Sequence, residues 1–276
     1  MAHGLARLGC SVQLVASTGA DAFGYLVARM LAEAGVQSAG MVRDPRVRTG
    51  VTVVLSTPED RAVLTFGGAI PTLTPEQARS ALERAIREGA RHVHAASFFL
   101  LPLLAAGLAE LFSRAREAGL TTSLDTNYDP AQQWAGVEDV LPHLDLLFPN
   151  RAEALALAGR LGDPGDDLEA AARLLAERGP TVVVKNGADG AVRVDSDGSV
   201  LREAGRAVVP VDTTGAGDTF DAAYVDSFLR ALDPAECLRR ACVAGALSTA
   251  AVGGTAAQPK LDQLASGKDP HASRHR

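Results

Sequence analysis

Aromatic residues make up only 4% of this 276-residue chain, with a single Trp and three Tyr. A hydrophobic share of 47% still gives ample apolar material, so the core must be aliphatic, built from Ala, Val and Leu. Cysteine is scarce as well. Cys10, Cys237 and Cys242 lack metal-ligand spacing and read as buried or free thiols of a reducing cytoplasm. No apolar run reaches membrane-spanning length, and no charged-then-apolar signal segment opens the chain, so a membrane partner is not expected and the location is read as cytoplasmic. Net charge is −6, and no basic patch with interleaved aromatics is present, which argues against nucleic acid as a partner. The length allows one large or two small domains, and no repeat of fixed period is evident.

What is present is a regular alternation. Strand-like Ser11–Ala16 precedes helix-like Phe23–Ala34, which stops at Gly35. Helix Pro75–Glu88 precedes strand Arg91–Ala96, helix Pro102–Ala118 precedes strand Thr121–Asp125, and strand Asp145–Phe148 leads into helix Arg151–Ala158. Helix Asp167–Arg178 leads to strands Thr181–Lys185 and Ala191–Asp195, and Pro234–Ala251 reads as helical. Such alternation predicts an α/β fold with a mostly parallel sheet covered by helices on both faces. One region breaks the rhythm. Ser38–Val42, Arg46–Ser56 and Arg61–Phe66 are strand-like with no helix between them, and Thr57–Asp60 fits a hairpin turn. The division expected is an α/β core over 1–37 and 71–266, a small β lid over 38–70 and a disordered tail over 267–276.

The densest chemical signal is Asp212-Thr213-Thr214-Gly215-Ala216-Gly217-Asp218-Thr219-Phe220, between an apolar strand candidate, Ala207–Val211, and the helix-like run Phe220–Leu229. Small residues at a helix start leave backbone N–H groups uncovered, and these attract anions. A carboxylate in the same turn, Asp218, completes what phosphoryl transfer needs: one group for the moving phosphate and one for the acceptor's proton. Taken alone, Gly215–Asp218 is also compatible with an ordinary glycine-rich cap carrying a favourable first-turn charge.

The nine-residue stretch resembles the C-terminal signature of the ribokinase-like (PfkB) carbohydrate kinases, and further motifs follow the family order. The resemblance implies a three-layer α/β/α fold with a small β lid through which many members pair, so a homodimer is expected. It implies Asp218 as catalytic base and Gly215, Ala216 and Gly217 as anion hole. Asn150 and Glu153 in Pro149–Glu153 resemble the N-x-x-E motif that places Mg²⁺ and phosphates through water, although Asn followed by Glu three residues on is also a capping box. Lys185, Asn186, Gly187 and Gly190 are similar to the K-x-G-x-x-G nucleotide loop, although two glycines also suit a hairpin turn. Asp125 and Asn127 resemble the sugar-side D-x-N pattern at a strand end, where α/β sheets bind ligands. There Asp129 stands where some acid-sugar kinases have Arg, which argues against a carboxylate-bearing substrate. Ser97, His94 and Gly68 are further expected sugar neighbours, with packed histidine as the alternative for His94. Asp212, Thr214 and Gly253 align with positions that ring a monovalent cation, K⁺, and Thr214, Gly217 and Gly253 with the ATP surface.

The activity implied is ATP-dependent phosphorylation of a sugar hydroxyl. A nucleoside kinase of the same family and a non-catalytic sugar or nucleotide sensor are the alternatives. A dinucleotide oxidoreductase is disfavoured because the third Gly of G-x-G-x-x-G is missing. Leu5–Gly9 matches the end of the family's first helix, so the family's opening strand and Gly-Gly loop are absent ahead of it. The expectation is an N-terminally shortened chain with sugar-binding residues missing and neighbouring strand edges unpaired.

Overall fold

The structure, a computed structural model, describes residues 1–56 and 61–266. The hairpin turn expected at Thr57–Asp60 and the tail expected over 267–276 lie outside the described residues. The chain opens with helix α1 (Ala2–Arg7), strand β1 (Ser17–Gly19), helix α2 (Ala22–Glu33) and strand β2 (Val42–Asp44). Strands β3 (Val51–Ser56) and β4 (Arg61–Phe66) form an antiparallel ribbon, with Val51 opposite Phe66. Then come α3 (Pro75–Arg87), β5 (His92–Ala96), α4 (Pro102–Ala105), α5 (Leu108–Glu117), β6 (Thr121–Asp125), β7 (Leu146–Leu147), α6 (Arg151–Ala158), α7 (Leu168–Ala176) and β8 (Thr181–Lys185). Strands β9 (Ala191–Val194) and β10 (Val200–Glu203) precede α8 (Ala216–Leu229), α9 (Pro234–Ser248) and α10 (Leu261–Ser266).

The central sheet has the order β10-β9-β8-β7-β6-β5. Strands β5 to β8 are mutually parallel, and β9 and β10 run antiparallel at one edge. Alternation along the strands assigns side chains to two cores. Leu124, Leu147, Val182 and Val184 meet the helices on one face, α3 to α7, through residues such as Phe112 and Leu175. Leu146, Phe148 and Val183 meet α1, α8 and α9 on the other, through Tyr224 and Leu238. The result is a three-layer α/β/α arrangement around a mostly parallel sheet. Among the described residues, no helix is long and apolar enough to cross a membrane.

Helix starts follow local chemistry. Thr74 and Gln77 form a reciprocal capping box ahead of Pro75, Asp167 caps α7, and Asp21 caps α2. Four departures from the sequence expectation have identifiable causes. Ser11–Ala16 is not a ladder strand. It is tied to one neighbour through Leu14 N–H to Gln37 and Gln37 N–H to Val12, and regular pairing starts only where Ser17 meets Val42. The strand expected at Ser38–Val42 begins only at Val42 and runs on to Asp44, pairing in parallel with β1, and the ribbon itself has two strands rather than three among the described residues. The long helix expected over Pro102–Ala118 is broken into α4 and α5 at Gly107, where a Cβ would lie 2.6 Å from Pro75 at the start of α3. Ala207–Val211 forms no strand: the amides of Val211 and Asp212 both turn to the Thr249 carbonyl, and Val209 is 91% exposed. Strand β10 and helix α10 add elements that the alternation did not reveal.

Candidate active site

Helix α8 starts from Gly215 in the left-handed region, φ +74°, and a side chain there would meet the Gly254 carbonyl oxygen at 2.7 Å. Only glycine allows this backbone to turn into the helix so close to a second loop. The Gly215 carbonyl accepts from the Thr219 amide and hydroxyl, while the Ala216 amide bonds the Thr213 carbonyl. The amides of Gly217 and Asp218 find no backbone acceptor among the described residues. Two open donors at the positive end of a helix have the chemistry an anion needs. The Asp218 carboxylate is half exposed beside them, with the Met1 α-ammonium 3.2 Å from its Oδ1.

Behind that turn, three charged side chains from three elements meet in the interior. Lys185, the last residue of β8, donates from Nζ to Asp125 Oδ2 at 2.8 Å and to Asp221 Oδ2 at 3.2 Å. Asp125 ends β6, and Asp221 stands on α8 one turn after Asp218. Burial opposes ionisation of Asp125, yet Lys185 and the Asn127 amide hold its carboxyl below the ordinary range. Burial pushes Asp221 well above it. Asp221 escaped the sequence reading. The available signal was its spacing of three from Asp218, which puts both on one helix face.

On the sugar side, Asp125, Asn127 and Ser97 are brought together at the C-terminal ends of β5 and β6. Asn127 donates to Asp125 Oδ1 from its amide and to Ser97 Oγ from its side chain, and the Ser97 amide bonds the Asp125 carbonyl. Ser97 and Asn127 are both left-handed, φ +62° and +55°, a strained backbone of the kind found at ligand sites. His94 shares the Ser123 hydroxyl with His92, each at 2.7 Å, and its Nε2 is buried without a partner. Burial lowers His94 to about 4, with Asp125, the N-terminal ammonium, Asp218 and Lys185 as the charges that act on it. Burial lowers His92 to about 3. Asp129 is a loop organiser: its carboxylate accepts from the Ala131, Gln133 and Trp134 amides. Gly68 is the outlying member of the expected sugar set. It packs at the base of the ribbon against the backbone of Arg48 and Gly50.

The remaining motif residues sit on loops at the same sheet ends. Asn150 and Glu153 make the full reciprocal capping box of α6, with Asn150 Nδ2 also donating to Glu153 Oε1 at 2.6 Å. Glu153 is buried, and desolvation raises its carboxyl above the ordinary range. Pro149 accepts from the Lys185 amide, which joins this motif to the next loop. Asn186 to Gly190 form a tight turn closed by Asn186 N–H to the Gly190 carbonyl. Asp212 gathers the expected cation residues: Oδ1 accepts from the Thr214 amide and Oδ2 from the Gly253 amide. Among the described residues, no group of three His, Cys, Asp or Glu side chains is arranged to hold a metal ion.

A three-layer α/β/α fold with open helix-start amides beside a carboxylate, and polar side chains at the strand ends, is the arrangement of a phosphotransferase. Residues 1–261 match the pfkB family of carbohydrate kinases, and the chain belongs to that family. It is a sugar kinase, which transfers phosphoryl from ATP to a sugar hydroxyl. The chain is 34% identical over 266 residues to an ATP-dependent ribose-1-phosphate kinase of Halopiger xanaduensis, covering 96% of this chain and 83% of that one. It is 31% identical over 283 residues to a fructokinase of Klebsiella pneumoniae, covering 96% and 88%. Among solved structures, an Arabidopsis thaliana ribokinase complexed with ribose and ATP superposes with a TM-score of 0.83 at 25% identity, over 96% of this chain and 84% of that one.

Proposed function

We propose that Asp218 is the general base and that the open amides of Gly217 and Asp218, on the turn made by Gly215 and Ala216, form the anion hole. The observation that carries this reading is the pairing of two unpartnered amides with a half-exposed carboxylate on one helix turn. Asp218 takes the hydroxyl proton as the sugar oxygen attacks the γ-phosphorus, and the amides neutralise charge on the transferring group. Asp125, Asn127 and Ser97 orient the sugar. The nucleotide lies along the Lys185–Gly190 loop and the Thr214 and Gly253 surface.

Asn150 and Glu153 are hard oxygen donors that fit Mg²⁺ held through its waters. Mg²⁺ bound there supplies neutralisation of phosphate charge. Asp212 accepts from the Thr214 and Gly253 amides, and on this reading the same three residues supply the oxygens for K⁺. The ribbon β3–β4 acts as the lid and as the contact between two copies. Val53, Val54, Leu55, Leu64 and Phe66 are all exposed along it, an apolar surface that a second copy covers.

The test is ADP release from Mg·ATP over pentoses, hexoses, nucleosides and ribose 1-phosphate, the last included because of the 34% identical relative. Turnover with one sugar class, lost in Asp218→Ala, supports the reading. Turnover retained in Asp218→Ala overturns the base assignment.

A further inference from the structure

Lys185 ends β8 at the mouth of the nucleotide loop, yet its ammonium turns away from that loop into the protein. It bonds Asp125 on β6 and Asp221 on α8, and lies 3.5 Å from where a Cβ on Gly217 would stand. A cation thus backs the anion-hole turn from inside and ties it to the sugar-side carboxylate. We infer that Lys185 is a positioning residue, which clamps Asp125 to the helix face that carries Asp218, and that its side chain is not a nucleotide ligand.

The clamp is built as a matched set. Burial works against the ammonium, but the carboxylates of Asp221 and Asp125 raise it above its ordinary range, so it stays charged. Asp125 and Asp221 are both buried against the one ammonium, their side chains 7% and 1% exposed, and Asp221, which burial pushes well above the ordinary carboxyl range, is the one that holds a proton. Asp221 Oδ1 is buried and receives no donor, as suits an oxygen that carries the proton itself. The set is then one ammonium, one carboxylate and one carboxylic acid, with no uncompensated charge in the interior. Asp218 and Asp221 are three residues apart on α8, so fixing Asp221 fixes the rotation of the base about the helix axis. Fixing Asp125 sets the sugar on the other side of the reacting oxygen. One side chain therefore sets the spacing between the two halves of the site, and misplacement of about 1 Å costs on the order of a hundredfold in rate.

This inference rests on the kinase reading above, and its test separates the two. Lys185→Met is compared with Arg230→Met, which breaks an ion pair to buried Asp226 at the far end of the same helix. The expected result for Lys185→Met is MgATP affinity by calorimetry within about threefold of wild type and kcat lower by about a hundredfold or more. Arg230→Met lowers Tm and keeps kcat. Loss of MgATP binding with kcat retained overturns the inference, because Lys185 is then a nucleotide ligand. A kcat loss no larger than that of Arg230→Met also overturns it, because the ion pairs are then merely structural. Lys185→Gln, smaller in its disturbance of packing, answers the same question if Lys185→Met does not fold. An infrared measurement needs no substrate. Wild type at neutral pH shows a carboxylic-acid band that Asp221→Asn removes and Glu153→Gln does not, and absence of that band overturns the clamp. Wild type that shows the band but neither binds MgATP nor phosphorylates any sugar refutes the kinase reading and leaves the clamp standing.

Discussion

The corner where β6, β8 and α8 meet and the ribbon β3–β4 are opposites in physical terms. In the corner, buried charged groups have partners: Lys185 bonds Asp125 and Asp221, and Asp125 also accepts from Asn127. Along the ribbon, apolar side chains stand in solvent, Leu64 at 59% and Phe66 at 58% exposure, on a pair of strands with no third neighbour among the described residues. A two-stranded ribbon is marginal by itself in water. The corner holds its polar groups in fixed partnerships without a ligand, whereas the ribbon leaves apolar side chains in solvent. On the proposed reading, chemistry belongs to the first part and closure to the second.

The largest expected effect breaks the corner at its base. Asp218→Ala lowers kcat by about 10²- to 10⁴-fold, the usual contribution of a general base, with MgATP affinity by calorimetry unchanged. Next comes the turn. Gly215→Val places a branched side chain at φ +74° against the Gly254 carbonyl, which costs about 1–3 kcal/mol of stability by denaturant titration and removes turnover by displacing the anion hole. A pH effect should follow from the buried imidazoles. His94 titrates near 4 in the folded chain against 6.5 when unfolded, so the unfolded state binds more protons between those values. Stability therefore falls as pH is lowered from 6.5 towards 4, and His94→Gln flattens that part of the profile in thermal melts. The smallest effect on the corner comes from the ribbon. Phe66→Asp should convert a dimer to monomer by sedimentation and raise the sugar KM, while Tm of the core changes by less than about 0.5 kcal/mol equivalent, as for a surface substitution. A monomeric wild type would remove the ribbon's role as a contact between copies and leave the corner untouched.

The site was legible in sequence to the extent that backbone chemistry is local. Gly215-Ala216-Gly217-Asp218 announced an open helix start because small residues and a first-turn carboxylate act within one turn, and Asn150 and Glu153 announced a capping box for the same reason. The Asp125, Asn127 and Ser97 group was found because strand ends at one side of a parallel sheet converge. Lys185 was found as a loop residue, but its inward course was invisible, since the partners that draw it in come from positions 125 and 221. Asp221 was missed because its role depends wholly on those two. The ribbon's two strands were legible from alternation, whereas the pairing of β2 with β1 was not, since parallel partners carry no local turn signal.

Fold class, the capping box of Asn150 and Glu153 and the open glycine turn at Gly215 were determined by the sequence alone, because each depends on periodicity or on bonds within a few residues. Tertiary structure decided the break of the Pro102–Ala118 helix against Pro75, the refusal of Ala207–Val211 to join a sheet, and the burial of the Lys185 ammonium between Asp125 and Asp221. Each of these turns on atoms far apart in sequence that compete for the same few ångströms, and no local pattern records the outcome.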